Sequence, residues 1–240
     1  MYKTFDEYKK WLEIDNNWAY YKKGDFSFSS ARTEIVEVMQ IKDGDDILDI
    51  GCSDGKTLKY LKENYKVNLY GIEPDLELVK DADNYGNIFG GTVEDWLYIS
   101  HQEFDSIIMA DVIEHLLEPW TVVREVTKRL KKGGSIYASI PNFFHASVMF
   151  NLFSCGSFAY FSSDLINKDH LRYFTLLDSM VLFKMSGLTP ELLGGIKLPI
   201  NNQPDKLDEL VGIIAPFGEV FKRNDYFFDV YQFVIKATKE

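Results

Sequence analysis

Asp46-Ile-Leu-Asp-Ile-Gly-Cys-Ser-Asp-Gly55 is an apolar strand that runs into a glycine turn, and a helix-forming run, Lys56–Tyr65, follows it. A second apolar run, Val67–Ile72, ends on the acid Glu73, 22 residues after Gly51, with Pro74 next. Glycine at 51 permits a tight turn and a close approach of ligand atoms to the backbone. Glu73 is placed to accept hydrogen bonds from two ribose hydroxyls. Together these features make the layout of a nucleotide-type cofactor site on an α/β sheet.

The spacing separates two kinds of nucleotide. A dinucleotide fold uses G-x-G-x-x-G so that a pyrophosphate rests on the helix N-terminus. Here the pattern is Gly51-x-Ser53-x-Gly55, with Asp49 two residues before the first glycine. An acid there repels a pyrophosphate and suits the cationic amino group of a methionine moiety. Ser53 stands where a middle glycine is usual and is expected at negative φ. Cys52 lies inside the turn. An unliganded strand–turn–helix corner is the structural alternative.

Working outward, strands alternate with helices. Strand Ile47–Ile50 precedes helix Lys56–Tyr65, and strand Val67–Ile72 precedes helix Leu76–Asp81. A short strand at Asn87–Phe89 leads to Gly90-Gly-Thr-Val-Glu-Asp95, and strand Ser106–Ala110 precedes Asp111-Val-Ile-Glu-His-Leu116. Pro119 at a first helical position starts helix Trp120–Leu130, closed by Lys131-Lys-Gly-Gly134. Strand Ile136–Ile140 ends at Pro141-Asn142. Such alternation implies a parallel sheet covered on both faces. Residues 1–45 read as an N-terminal helical cap, with Tyr2, Phe5, Tyr8, Trp11 and Leu12 at helical spacing and a second helix over Ala31–Ile41. Residues 143–170 break the alternation with an aromatic run, the signature of a lid or substrate loop. Helix Leu176–Ser186, a strand near Glu191–Ile196, a short helix Asp205–Ile214 and a last strand Phe227–Ala237 complete the chain. All of 1–240 reads as one domain.

Bulk properties narrow the partners. The 240 residues carry a net charge of −11, which argues against nucleic acid, whose affinity rests on Lys and Arg at phosphates. Two cysteines and no apolar leader suggest a reduced, cytoplasmic protein. No stretch reaches the ~20 apolar residues of a membrane span.

The motifs Ile47-Leu-Asp-Ile-Gly-Cys-Ser-Asp-Gly55, Phe104-Asp-Ser-Ile-Ile-Met-Ala-Asp-Val-Ile-Glu-His115, Leu130-Lys-Lys-Gly-Gly134 and Ile140-Pro-Asn142 resemble the class I S-adenosylmethionine-dependent methyltransferases. The group concerned includes ubiquinone-biosynthesis O-methyltransferases. A subgroup linked with bacterial glycan synthesis also carries an aromatic loop and a segment like Lys168-Asp-His-Leu-Arg-Tyr-Phe-Thr175. The resemblance spans about residues 40–190. It implies an α/β, three-layer Rossmann-like fold with a mostly parallel seven-stranded sheet and an antiparallel last strand. It also implies S-adenosylmethionine as donor, with S-adenosylhomocysteine as product. Asp49, Gly51, Cys52, Ser53 and Gly55 would shape the methionine end, and Glu73 and Pro74 the ribose end. Thr92, Val93 and Glu94 would meet the adenine. Ala110 and Asp111 would lie near the transferred methyl.

Methyl transfer to an alcohol needs an aligned acceptor and a base. His115, His145 and His170, three of four histidines, fall at predicted pocket positions, whereas His101 reads as solvated. Asp111, Glu114 and His115, at i, i+3 and i+4, share a face of a helical turn. With His170 they resemble the metal site of plant small-RNA terminal 2′-O-methyltransferases, so a divalent ion is one reading. Asp111-x-x-Glu114 as a capping box is another. A metal-free histidine base, His115 or His170 with Asp111 and Glu114 beside it, is the third and needs no metal. The expected function is O-methylation of a small-molecule or glycan-type acceptor. N-methylation, a NAD-dependent oxidoreductase and a non-catalytic cofactor-binding module are the alternatives. Acceptor identity and oligomeric state are not legible.

Overall fold

Ile47 and Leu48 are sequence neighbours, as are Ile107 and Ile108, and all four are at most 1% exposed. Strand side chains alternate, so both faces of the sheet must be covered. Leu48, Ile50, Ile107 and Met109 belong to one buried cluster. Ile47 and Ile108 pack in another with Ile35, Leu58 and Leu61. The result is three layers.

In the computed structural model of the chain, the described residues are 20–22, 30–158, 160, 165–197, 208–213, 215–216 and 227–240. The strands are β1 (Tyr20–Lys22), β2 (Asp46–Ile50), β3 (Asn68–Glu73), β4 (Asn87–Gly90), β5 (Phe104–Ala110), β6 (Leu130–Pro141), β7 (Thr189–Lys197) and β8 (Gln232–Thr238). The helices are α1 (Thr33–Val36), α2 (Lys56–Asn64), α3 (Leu76–Ala82), α4 (Val93–Ile99), α5 (Pro119–Thr127), α6 (Ala146–Cys155) and α7 (Leu176–Met185). A single 3-10 turn, Ile113–His115, follows β5.

The strand order is β1-β7-β8-β6-β5-β2-β3-β4. Strands β2 to β6 pair in parallel, and β8 runs antiparallel to both β6 and β7. This is the seven-stranded sheet with an antiparallel last strand expected from the sequence, and β1 adds a short parallel strand on β7. The chain leaves β2 toward β3 and β4, then returns to β5 on the other side. That reversal opens a crevice at the carboxyl ends of β2 and β5.

Four local expectations change. Helix Ala31–Ile41 shrinks to the four residues of α1, with Arg32 as N-cap and Glu37 as C-cap. The helix begun by Pro119 stops at Thr127, and Leu130 already pairs with Phe104 as the start of β6. Within the 143–170 stretch, Ala146–Cys155 form a helix: His145 caps α6 by accepting from the Ser147 N–H, and Gly156 at φ 61 ends it. Tyr20–Lys22, assigned to the helical cap, is a strand. The helix expected near Tyr2–Leu12 lies outside the described residues, as do positions 205–207 of the late helix, while residues 208–213 are helical. Among the described residues, no helix is long and apolar enough to cross a membrane.

Candidate active site

A cavity of about 380 Å³ fills the crevice. Its walls come from Ser30 and Arg32, the glycine turn from Asp49 to Thr57, the turn from Ala110 to His115, the segment from Leu165 to His170, and Pro141, Tyr231 and Gln232.

The glycine turn is built by backbone geometry. Gly51 and Gly55 sit at φ 71 and φ 78, where glycine carries no Cβ penalty. A Cβ at Gly51 would lie 2.8 Å from Val112, and one at Gly55 would lie 2.8 Å from the Ala82 backbone. Ser53, expected at negative φ, sits at φ 52. The left-handed turn points its N–H at Glu73, whose Oε2 accepts at 2.8 Å. Glu73 Oε1 accepts from the Asp75 N–H at 2.9 Å. Glu73 thus fastens the two halves of the strand–turn–helix unit while each of its oxygens keeps a further lone pair.

Asp49 is 3% exposed and lines the cavity. Burial raises its pKa to about 7; Arg32 pulls it down and Glu73 pushes it up. A carboxyl held there is a poor anion until a cation reaches it.

Arg32 was not singled out from the sequence. Its guanidinium, 7% exposed, donates to Glu34 at 2.5 Å, to Ser139 at 2.8 Å and to Asp111. Burial works against its charge, but Asp111 and Glu34 outweigh this and raise its pKa. These partners lie up to 107 residues away, so no local motif marks them. Gln232 completes the knot by donating to Asp111 Oδ1 at 2.6 Å. Asp111 itself stands at φ 54, with its N–H on Ser139.

This arrangement removes the capping-box reading. The turn at Ile113–His115 has no side-chain cap bond. Asp111 is held by Arg32, Ser139 and Gln232 instead, and both Glu114 carboxylate oxygens are buried with no hydrogen-bond partner among the described residues. Burial, then the Asp111 charge, raises the Glu114 pKa well above the usual carboxylate range.

His115 and His170 meet edge to face, with ring centroids 4.8 Å apart. His115 Nδ1 lies 3.0 Å from the Asp169 carbonyl, and His170 Nδ1 lies 3.0 Å from the Leu165 carbonyl. A carbonyl only accepts, so each Nδ1 carries the proton, and in the neutral ring Nε2 is the basic atom. Burial, and the neighbouring His115, lower the His170 pKa. The two turns are sewn together: Leu171 and Arg172 N–H groups donate to the Glu114 carbonyl at 2.8 and 3.0 Å, and the Arg172 guanidinium donates to the Leu117 carbonyl. Donor atoms of Glu114, His115 and His170 fall within 4.8 Å of one another. Asp111 is not part of that group.

The other expected residues divide. Asp49, Gly51, Cys52, Ser53, Ala110, Asp111, Glu114, His115 and His170 line the cavity. Gly55, Glu73, Pro74, Thr92, Val93 and Glu94 do not. Thr92 caps α4, accepting from the Asp95 N–H. His145, expected in the pocket, is 1% exposed and spent on capping α6. His101 is exposed.

Residues 26–192 match a family described as a methyltransferase domain. Phosphoethanolamine N-methyltransferase of Triticum aestivum is 30% identical over 112 residues, 44% of this chain and 22% of that protein. Ubiquinone biosynthesis O-methyltransferase of Hydrogenovibrio crunogenus is 22% identical over 158 residues, 62% of this chain and 65% of that protein. This chain therefore spans under a quarter of the length of the Triticum aestivum relative. Two solved structures share the fold. The YcgJ protein of Bacillus subtilis has a TM-score of 0.59 at 16% identity, over 87% of this chain and 97% of that one. A SAM-dependent methyltransferase of Archaeoglobus fulgidus has a TM-score of 0.57 at 17% identity, over 82% and 86%.

Proposed function

The chain belongs to the methyltransferase-domain family, and from that premise we propose that it methylates an oxygen of a small-molecule or sugar-containing acceptor, with S-adenosylmethionine as donor. The site fits that donor. Asp49 is a buried acid that gains from an ammonium group, and Arg32 places a cation on the same cavity. The two suit the opposite charges of an amino-acid end. When bound, S-adenosylmethionine supplies an electrophilic methyl on a sulfonium. Glu73 would hold the ribose with its remaining lone pairs, and the backbone at Val93 and Glu94 would meet the adenine. Ala110 and Asp111 would flank the methyl. The reading treats 1–240 as one domain and places it in the cytoplasm, where Cys52 remains a free thiol.

The histidine pair carries the chemistry. With Nδ1 of both rings donated to carbonyls, Nε2 of His115 or His170 takes the acceptor's hydroxyl proton. Burial keeps His170 neutral near physiological pH, as a base must be. Labelled donor with a panel of hydroxyl and amine acceptors tests this. His115→Ala or His170→Ala is expected to lower kcat by about 10²-fold while S-adenosylhomocysteine still binds. Full turnover in both variants overturns the histidine role. A panel in which only amines are methylated overturns the oxygen assignment in favour of the N-methyltransferase relatives' chemistry.

One observation favours a second reading, a divalent ion on Glu114, His115 and His170. The Glu114 oxygens are enclosed and unpartnered, and both histidines have the Nδ1-to-carbonyl bond that orients a ligating imidazole. An ion there would lower an acceptor hydroxyl's pKa. Calorimetric titration with Mg²⁺, Mn²⁺ and Zn²⁺ should show one site in the wild type and none in Glu114→Gln. Equal binding by both proteins, or none by either, rules it out.

A further inference from the structure

The charges buried in this molecule gather at the cavity, and most of them are acids. Among the described residues, the buried Asp, Glu, Lys and Arg side chains are Arg32, Glu34, Asp49, Glu73 and Glu114. Arg32, Asp49 and Glu114 line the cavity. Glu34 accepts from Arg32, and Glu73 accepts from the Ser53 N–H in the cavity wall. One guanidinium thus stands against four buried carboxyls. The cations of the wall are committed. Arg32 is tied to Glu34 and Asp111 and serves the donor's carboxylate, and Lys56 Nζ lies 2.5 Å from Asp54. A phosphate or carboxylate on an acceptor meets no cation of its own here.

Glu114 is the acid without a counterpart at the acceptor end. It is 1% exposed, and both its carboxylate oxygens are buried with no hydrogen-bond partner among the described residues. One of them lies within 4.8 Å of a ring nitrogen of His115 and of His170. S-adenosylmethionine adds a sulfonium, an ammonium and a carboxylate, which leaves the acids in excess.

We propose that the acceptor supplies the missing positive charge: it bears an ammonium on the carbon next to its hydroxyl, and no acidic group. The hydroxyl rests on the oxygen-methylation reading above; the ammonium rests on the charge of the cavity alone. A cleft lined by one sign of charge, with low-dielectric walls, focuses its field and concentrates the opposite charge. A buried carboxylate recovers its desolvation cost when a cation approaches. In a low-dielectric cavity this attraction acts across a gap, without contact with the enclosed Glu114 oxygens. The short distance from Glu114 to the histidines sets the spacing. A hydroxyl at a histidine ring and an ammonium directed toward Glu114 are as close as substituents on neighbouring carbons.

Ligand-observed NMR on the full chain, saturated with S-adenosylhomocysteine and with EDTA present, tests the proposal. The probes are three cyclohexanols that differ only on the carbon next to the hydroxyl, which carries an ammonium, a second hydroxyl or a carboxylate. The amino alcohol is expected to bind about tenfold tighter than the diol, and the hydroxy acid weakest. Glu114→Gln should lower the affinity of the amino alcohol to that of the diol. The wild-type ranking stands by itself if that variant does not fold. Equal binding of the three probes, no binding of the amino alcohol, or tightest binding of the hydroxy acid overturns the proposal, as does a folded Glu114→Gln that keeps the full preference. A preference for the diol once Mg²⁺ replaces EDTA overturns it in favour of a bound divalent ion. Failure of the wild type to bind S-adenosylhomocysteine strikes the donor assignment, and transfer of labelled methyl to the nitrogen of the amino alcohol strikes the oxygen assignment. Both are separate from the ranking of the probes.

Discussion

Ser53 and Asp111 both adopt left-handed backbone, at φ 52 and φ 54, and both line the cavity. For a residue with a Cβ this costs roughly 1–2 kcal/mol. The return is directional: Ser53 aims its N–H at Glu73, and Asp111 turns its carboxylate into the Arg32 knot. Ser53→Gly should therefore stabilise the protein by about 0.5–1 kcal/mol, the left-handed penalty less the added entropy of the unfolded chain. Urea unfolding measures it, and a loss of stability would mean that the Ser53 side chain matters more than its backbone. Arg32→Ala should act in the other direction. It leaves Asp111 and Glu34 without their shared cation in a site where Glu34 is 3% exposed, a change that costs about 3–5 kcal/mol. A melting temperature unchanged in Arg32→Ala would show that the knot is not under charge stress. Asp49, Gly51 and Glu73 were legible from spacing because one strand–turn–helix unit holds them. Arg32 and Gln232 were not, because their partners arrive from distant strands.

At the scale of elements, the two histidine-bearing turns are held by bonds between them and by the helix that follows. The 113–115 turn has no cap of its own and is held by the backbone bonds from Leu171 and Arg172. Helix α7 behind it starts with a full capping box, in which Thr175 accepts from the Asp178 N–H and the Asp178 side chain accepts from the Thr175 N–H. Thr175→Ala should cost about 1 kcal/mol and, because α7 follows the His170 turn directly, should loosen it. Hydrogen exchange of the Leu171 and Arg172 amides should rise in the variant; unchanged exchange would mean that the turn is independent of the helix. The pattern Asp111-x-x-Glu114 resembled this capping box in sequence, yet only Thr175-x-x-Asp178 became one. The 3-10 turn takes Val112, not Asp111, as its N-cap, and Arg32, Ser139 and Gln232 hold Asp111 instead. The 143–170 stretch reads as a lid or loop because its aromatic run breaks the alternation of strands and helices, but packing of Val148 and Met149 with Leu165 and Phe228 supplies a buried face for α6.

For the whole molecule, the buried acids set a pH dependence. The Asp49 pKa is 3.8 in the ordinary case and about 7 here. Between those values the native state binds a proton that the unfolded chain has lost, so stability falls as pH rises from about 4 to about 7 and levels off above. Glu114 is raised as well and adds in the same sense. Asp49→Asn should flatten part of that slope and raise the ligand-free melting temperature at pH 8 by about 4–8 °C, the response of a chain this size to about 2 kcal/mol. The same variant should bind S-adenosylhomocysteine more weakly. A variant that is no more stable at pH 8 would show that Asp49 is not held under desolvation stress. A site that destabilises its own scaffold until a ligand arrives is the ordinary stability cost of function.

The sequence by itself determined the layered α/β sheet, the glycine turn and the acid at the end of β3. These depend on the alternation of short apolar strand runs with helical runs, on glycine's freedom at positive φ and on short spacings, all of which are local. Only the tertiary structure decided that His115 and His170 face each other, that Glu114 is enclosed without a partner, that His145 is a helix cap and that Arg32 governs Asp111. Apart from the His145 cap, which reaches only Ser147 two residues on, these depend on contacts between segments between 54 and 121 residues apart in the most telling cases, and long-range register is set by the packing of the whole sheet rather than by any stretch of chain.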